Sequence, residues 1–170
     1  DAGYYYSYYQ DFIGYKIGVD AGFNSLNMPD YYQVYRVAAN AKDKVTTQGF
    51  AITVNYYFKK YFMLGGNYSW NRLNQFIKTD SIIPAYNTPE HKFNISFAGR
   101  DFEGKLFNIF SLKGWAFNFN YKWVQGFVFE GSPQFTGFVP TYDALDGQIN
   151  YTVAKLKTTF KLGASNILIH

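Results

Sequence analysis

The sequence predicts an all-β chain, an antiparallel transmembrane β-barrel segment, and three observations carry that expectation. The first is alternation. In "GWAFNFNYKW", residues 114–123, Trp115, Phe117, Phe119, Tyr121 and Trp123 fall on one side, while Ala116, Asn118, Asn120 and Lys122 fall on the other. Successive strand side chains point to opposite faces, so this stretch has one face of rings and one that is nearly all polar. The second is composition. Aromatic residues make up 22% of the 170 residues, yet mean hydropathy is −0.24. The rings are therefore interleaved with polar residues and not gathered into a membrane helix, which needs roughly 20 consecutive apolar residues. The third is the length of the joins, which alternates between short and long, as in barrels with short inner turns and longer outer loops.

Element by element, the alternation predicts about seven strands. Residues 3–10 open the chain, and 11–44 form a long outer excursion with room to extend the second strand upward. In strand 45–58, Phe50, Ile52, Val54, Tyr56 and Phe58 oppose Ala51, Thr53, Asn55 and Tyr57. A tight join at Lys59 and Lys60 leads into 61–73, where Phe62, Leu64, Tyr68 and Trp70 oppose Gly65, Asn67 and Ser69. Such a join between two alternating runs reads as a hairpin. Strand 91–101 sets Phe93, Ile95 and Phe97 against Asn94, Ser96 and Arg100, and the opening example extends to 114–126. Strand 142–153 carries Leu145, Ile149, Tyr151 and Val153 against Asp146, Gln148, Asn150 and Thr152. A second tight turn at Ala154–Lys155 precedes 156–166, with Leu156, Phe160 and Leu162 on the apolar side.

The joins from about Leu73 to Glu90 and from about Phe127 to Thr141 are long and hold Pro84, Pro89, Pro133 and Pro140, with a middling join, "DFEGKLFNIFSLKG", between them. The tryptophans at strand ends, Trp70, Trp115 and Trp123, are expected in interfacial girdles. A soluble β-sandwich or a lipid-binding barrel would also alternate. Large rings repeated strand after strand are hard to interdigitate in a sandwich core roughly 10 Å thick. An opposite face rich in Asn, Gln, Ser, Thr and Gly, with few charges, is unlike an ordinary solvated surface. Lipid on one side and a wet lumen on the other accounts for both.

An odd number of strands does not bring both ends of a chain to the same side, and the sequence stops at "SNILIH", where an outer loop should lead into a further strand. An open sheet edge in lipid costs several kcal/mol for each unsatisfied backbone group. The expectation is therefore one barrel domain of which residues 1–170 are a part. The opening "DAGYYYSYYQ" is not a leader and fits a mature product or a piece of a longer chain.

Three stretches, "VYRVAANAKDKVTTQGFAITVNYYFKKYFMLGGNYSWNRL", "IPAYNTPEHKFNISFAGR" and "VPTYDALDGQINYTVAKLKTTFKLGASNIL", carry a resemblance. Over about residues 10–169 the sequence resembles the last part of the barrel of TonB-dependent outer-membrane transporters of the Bacteroidetes type. The resemblance implies a barrel of about 22 strands with a plugged lumen, placed in the bacterial outer membrane and energised through the periplasmic TonB system. It implies active import of a nutrient such as a glycan, a peptide or a metal chelate. Implied partners are outer-membrane lipid, the plug domain, the TonB system and a surface lipoprotein. The plug, the TonB-contacting segment and a final strand have no counterpart in these residues and are expected elsewhere. The competing reading is a small self-contained barrel with an anchoring, adhesive or passive-pore role.

Catalytic chemistry is not indicated. The two histidines, His91 and His170, and the absence of Cys leave no nucleophile constellation or thiolate metal site, and neither a metal nor a cofactor is expected. His91 in "TPEHKF" reads as a rim or turn residue, and its neighbour Glu90 only weakly invites an acid–base role. Asp101 and Glu103 in "RDFEGK" read as a solvated turn. The net charge of +4 is spread along the chain, which argues against a nucleic-acid partner. The residues expected to meet a solute are the polar faces of three strands: Asn94, Arg100, Asn118, Asn120, Lys122, Asp146, Gln148 and Asn150. Amides offer both donor and acceptor and suit neutral hydroxylated or amide-bearing solutes. Hydrogen bonding to a plug or to water would use the same residues. The tyrosine-dense "GYYYSYYQ" and "PDYYQVYR" could stack sugars or peptides, or belong to a girdle.

Overall fold

The computed structural model describes residues 1–11, 13–40, 44–75, 86–106, 110–130 and 136–168. His170, Pro84 and Pro133, with most of the join before Glu90, lie outside them. The strands in chain order are β1 (Ala2–Tyr9), β2 (Ile13–Phe23), β3 (Pro29–Asn40), β4 (Val45–Phe58), β5 (Phe62–Gln75), β6 (His91–Gly99), β7 (Lys105–Leu106), β8 (Phe110–Ser111), β9 (Trp115–Val124), β10 (Phe127–Glu130), β11 (Thr136–Val139), β12 (Tyr142–Val153) and β13 (Thr158–Ala164). Seven of them form one antiparallel sheet in the order β1-β4-β5-β6-β9-β12-β13. These are the seven strands that alternation predicts, and β4 and β12 match the expected bounds at both ends.

Register keeps each face continuous across the sheet. Phe50 lies opposite Trp70, Ile52 opposite Tyr68, and Phe58 opposite Phe62. Tyr68 then faces Phe93, Phe93 faces Trp123, and Phe117 faces Ile149. A one-residue slip in any pair would send rings to the polar side, so the ring pattern itself fixes the register. The result is an aromatic face and an amide face on the same strands.

The aromatic face has a ring cluster near each end. At the end carrying the Lys59–Lys60 turn, Phe62 sits 5.4 Å from Phe58, 5.8 Å from Phe97 and 5.5 Å from Phe102. Phe97 and Phe117 are 5.2 Å apart. Gly99 lies beneath them, and a Cβ there would come within 2.5 and 2.6 Å of the Phe117 and Phe102 rings. Trp115 and Tyr151 pair at 4.8 Å nearby. Toward the other end, Phe50 packs on Trp70 at 5.7 Å and Phe93 on Trp123 at 5.3 Å. Ile52, Val54, Leu64, Ile95 and Ile149 lie exposed on this face. Trp70 and Trp123 therefore mark one end of the sheet and Trp115 the other.

Several joins differ from expectation. Residues 13–40 of the expected excursion do not lengthen the second strand: β2 and β3 pair with each other from Ile13–Asn40 to Phe23–Pro29 as a separate ribbon. Its turn is organised by Asn24, whose Oδ1 accepts from the backbone N–H groups of Leu26 and Met28 at 3.0 Å each. The long join after β9 contains the β10–β11 hairpin, and the middling join contains the two-residue ribbon β7–β8. The first tight turn spans three residues, because Phe58 pairs with Phe62. Lys59 and Lys60 both adopt left-handed backbone, φ 47° and 64°, and the Tyr61 N–H donates to the Lys59 carbonyl at 2.7 Å. The second is longer than the expected Ala154–Lys155 pair: a 3-10 turn, Ala154–Leu156, ends on left-handed Lys157, which delays β13 to Thr158.

Strand β6 stops at Gly99, two residues short of its expected end. The Arg100 N–H still bonds the Tyr61 carbonyl at 3.0 Å, but Asp101 turns left-handed, φ 56°. Among the described residues, β1 and β13 are the outer strands of an open sheet and do not pair with each other.

Candidate functional site

Seven of the eight sequence-selected residues lie on the amide face, and register brings most of them together. Asn94 on β6 is directly opposite Lys122 on β9. Asn120 on β9 is opposite Asp146 on β12, and Asn118 is opposite Gln148. Asn150 faces Ala116 on one side and Lys161 on the other. Arg100 is the exception. It lies past the end of β6 at the short-turn end, with its Nε 3.7 Å from the Asp101 carboxylate, and both side chains are largely exposed. The left-handed turn at Asp101 ends the pairing that would have kept Arg100 in the row.

The amides of this face are partly joined, across strands and along one of them. The Asn94 Nδ2 donates to Asn67 Oδ1 at 3.0 Å, and the Gln148 Nε2 donates to Asn150 Oδ1 at 2.6 Å. Asp146 Oδ1 accepts from the Asn166 backbone N–H at 2.9 Å, which ties the chain after β13 back onto the face. The Lys122 ammonium stands 5.9 Å from the centre of the Tyr142 ring. Asn118, Asn120, Asp146 and Gln148 line an open depression of about 400 Å³, shared with Gly147, Gly163, Ala164 and Ser165. The small residues of β13 leave the floor low, so the amide groups and one carboxylate are presented together. Such a surface can donate to and accept from a hydroxylated or amide-bearing solute.

Asn67 is part of this network although composition alone does not single it out. The usable signal is its parity, shared with Ser69 and Gly65 on β5. The tyrosine-rich opening divides by the same rule. Register puts Tyr4, Tyr6 and Tyr8 on the aromatic face, while Tyr5 lies opposite Gly49 on the amide face. The Tyr5 hydroxyl donates to Asn71 Oδ1 at 2.9 Å. Tyr86, in the loop before β6, has its hydroxyl pKa raised by burial first and by a hydrogen bond with Tyr5 second. In the ribbon, the Tyr35 ring lies over Gly18, where a Cβ would collide with it.

The sequence's acid–base candidates have structural partners. The Tyr68 hydroxyl and His91 Nδ1 are 2.6 Å apart, and the Trp70 indole donates to Glu90 Oε1 at 3.1 Å. Asp101 and Glu103 do not pair as carboxylates: Asp101 takes Arg100, and Glu103 takes Lys60 Nζ at 3.4 Å and the Tyr61 hydroxyl at 3.1 Å. The Tyr61 hydrogen bond first, and the Lys60 charge second, hold the Glu103 carboxyl below its ordinary value. Among the described residues no three His, Asp or Glu side chains gather as a metal site.

The family profile described as TonB dependent receptor-like, beta-barrel matches residues 1–167. The chain belongs to the TonB-dependent receptor β-barrel family. No curated protein and no solved structure matches the chain. TonB-dependent receptors are outer-membrane transporters and not enzymes, and they work with a plug domain and TonB. In a TonB-dependent receptor barrel, strands alternate between an apolar outside and a polar inside, and the two faces described above divide in that manner.

Proposed function

We propose that these strands form part of the wall of an outer-membrane transporter that imports a nutrient, a glycan, peptide or metal chelate, with TonB-coupled energy. The amide face lines the lumen and the aromatic face meets lipid. Asn118, Asn120, Asp146 and Gln148 contact the solute or the plug that gates it, with Asn94, Lys122 and Asn150 extending the same polar track. Arg100, at the short-turn end, belongs to the periplasmic rim. The observation that carries this reading is the gathering of four polar side chains, from two neighbouring strands, around one depression directly behind an aromatic face. The free edges of β1 and β13 pair with further strands of one larger barrel, which also holds the plug and reaches TonB. A self-contained barrel with an anchoring, adhesive or passive-pore role would instead need β1 and β13 to pair with each other, and among the described residues they do not pair. The long-loop side, where the β2–β3 ribbon emerges, is where a surface lipoprotein of the Bacteroidetes type would dock.

These 170 residues contain no Cys, so a cysteine introduced here is the segment's single thiol, and labelling is read in the whole transporter against the parent protein. Cysteines replacing Asn120 and Gln148 are expected to react with a water-soluble maleimide and to be shielded by transported solute. Cysteines replacing Phe119 and Ile149 are expected to resist the reagent and to be quenched by lipid-borne groups. Uptake should fall in Asn120→Arg while the protein still reaches the surface. Labelling that ignores the parity of these positions would remove the proposal.

A further inference from the structure

The chain's positive charge is concentrated at one end of the sheet. The short-turn end holds, among the described residues, 59–61, 100–106, 110–114 and 154–157, since Phe58 pairs with Phe62, Phe62 with Gly99, and Tyr151 with Trp115. These segments hold seven of the 16 basic residues and two of the 12 acidic ones. That excess of five exceeds the net +4 of the whole chain, so everything else is net negative by one.

Within this end, the two carboxylates are already engaged, Asp101 with Arg100 and Glu103 with Lys60. Among the described residues, Lys113 and Lys155 are exposed and in no ion pair. Both line an open cavity of about 970 Å³ together with Arg100, Asp101, Phe102, Glu103, Trp115 and Tyr151. The two carboxylates there are the ones already paired with Arg100 and Lys60, although Glu103 also feels the Lys113 charge, so the lining keeps a net positive charge. The Thr152 N–H bond to the Gly114 carbonyl, 2.8 Å, ties the residue after Lys113 to β12. The cavity is thus lined by Lys113 from the join and Lys155 from the turn, beyond the strand ends, and by the paired rings of Trp115 and Tyr151 on the sheet. Cations above rings match a phosphate above acyl chains.

We infer that this rim is a binding site for an anionic phospholipid, with Lys113 and Lys155 holding the headgroup phosphate and the Trp115–Tyr151 pair and Phe102 receiving the upper acyl chains. Attraction of juxtamembrane cations to anionic headgroups is a general electrostatic effect; the cavity makes it a site with a fixed position. The inference rests on the barrel reading above, because it needs the aromatic face to meet lipid.

The test uses the whole transporter reconstituted in phosphatidylcholine bilayers, with spin-labelled phosphatidylglycerol or spin-labelled phosphatidylcholine as probe. The native protein is expected to immobilise the phosphatidylglycerol probe at least about fivefold more strongly, the factor contributed by a single surface cation. The double variant Lys113→Glu/Lys155→Glu should lose that preference. Lys44→Glu, an equal charge change per site at the far end of β4, should keep it. Lys113→Gln/Lys155→Gln serves where the reversed pair does not fold, as judged by mobility on unheated gels, and should lower the preference. Unchanged selectivity in both rim variants would overturn the site. So would displacement of the probe by millimolar inorganic phosphate, which would make it an ion site. Intact lipid selectivity with a newly protease-sensitive plug would assign the rim to the plug instead. Lipid quenching of a fluorophore at residue 119 is read on the same samples. Its absence removes the barrel reading, whereas its presence without headgroup selectivity removes the rim site alone.

Discussion

The two faces of the seven-stranded sheet are made by the same backbone, and they are organised differently. On the aromatic face, contacts run ring to ring across neighbouring strands, as in the group formed by Phe58, Phe62, Phe97, Phe102 and Phe117. On the amide face, contacts are isolated pairs such as Asn94–Asn67 and Gln148–Asn150, and four polar side chains open onto a depression. The first arrangement tolerates little change in volume or polarity. The second leaves hydrogen-bonding groups available. Rigidity and chemical availability are thus assigned to alternate residues of one strand, which is how a wall can be both stable and selective.

The comparison is broken most directly at adjacent residues. Phe119→Arg in the whole protein should cost about 2–4 kcal/mol if the site lies near the bilayer midplane, while Asn120→Arg should fold normally and change uptake. Urea unfolding in lipid, with an uptake assay alongside, checks both, and equal damage at the two sites would contradict the division of faces. Glycines give a second contrast. Gly99→Ala pushes a methyl into clustered rings and should cost about 1–3 kcal/mol. Gly65→Ala meets only the side-chain ends of Ser96 and Asn55, which can rotate away, and should cost less than about 1 kcal/mol. The same unfolding series measures the gap.

Smaller effects sharpen the picture. Asn94→Ala removes one amide pair and should cost about 0.5–1.5 kcal/mol, with a larger proportional effect on uptake than on the unfolding midpoint. At the rim, the Glu103 carboxyl is lowered in the folded protein. Its contribution is therefore complete above the ordinary carboxylate value and is lost as pH falls through the lowered one. Since Lys60 and Glu103 are both largely exposed, the effect should be slight. Glu103→Gln should flatten that part of the acid limb of midpoint against pH, and an unchanged limb would show that the ion pair contributes nothing to folding.

The faces were legible because period-2 alternation is a local property: Phe117, Asn118, Phe119 and Asn120 declare their sides without reference to any partner. Partners followed where the joins were short, so β4 with β5 and β12 with β13 could be paired from sequence. What was not legible depended on backbone conformations that residue type does not announce. Lys59, Lys60 and Lys157 all take positive φ, a region lysine adopts only when the surrounding structure compels it, and Asp101, φ 56°, is of a type that visits that region more readily but does not announce where. For that reason alternation alone extends the polar row to Arg100 and shortens the second turn to two residues. The β2–β3 ribbon is hidden in the sequence although Ile13, Tyr15, Ile17 and Val19 alternate with Gly14, Lys16, Gly18 and Asp20. The barrel pattern assigns that stretch to a loop, and a loop with its own hairpin carries the same alternation. The depression depends on cross-strand register, which alternation constrains only after the neighbours are known.

The three-residue turn after Phe58 also dictates an order of events during assembly. Closing it brings β4 and β5 together along their whole lengths, whereas β1 meets β4 only after residues 10–44 have been looped out. Loop-closure entropy rises with the length of the intervening chain, and local hairpins form within about 1–10 μs. The β4–β5 hairpin is thus the natural unit of insertion, with β1 added later as a long-range partner. A nascent chain halted part-way should already protect the amides of Phe50 and Trp70 from hydrogen exchange while those of Tyr5 and Ser7 still exchange freely.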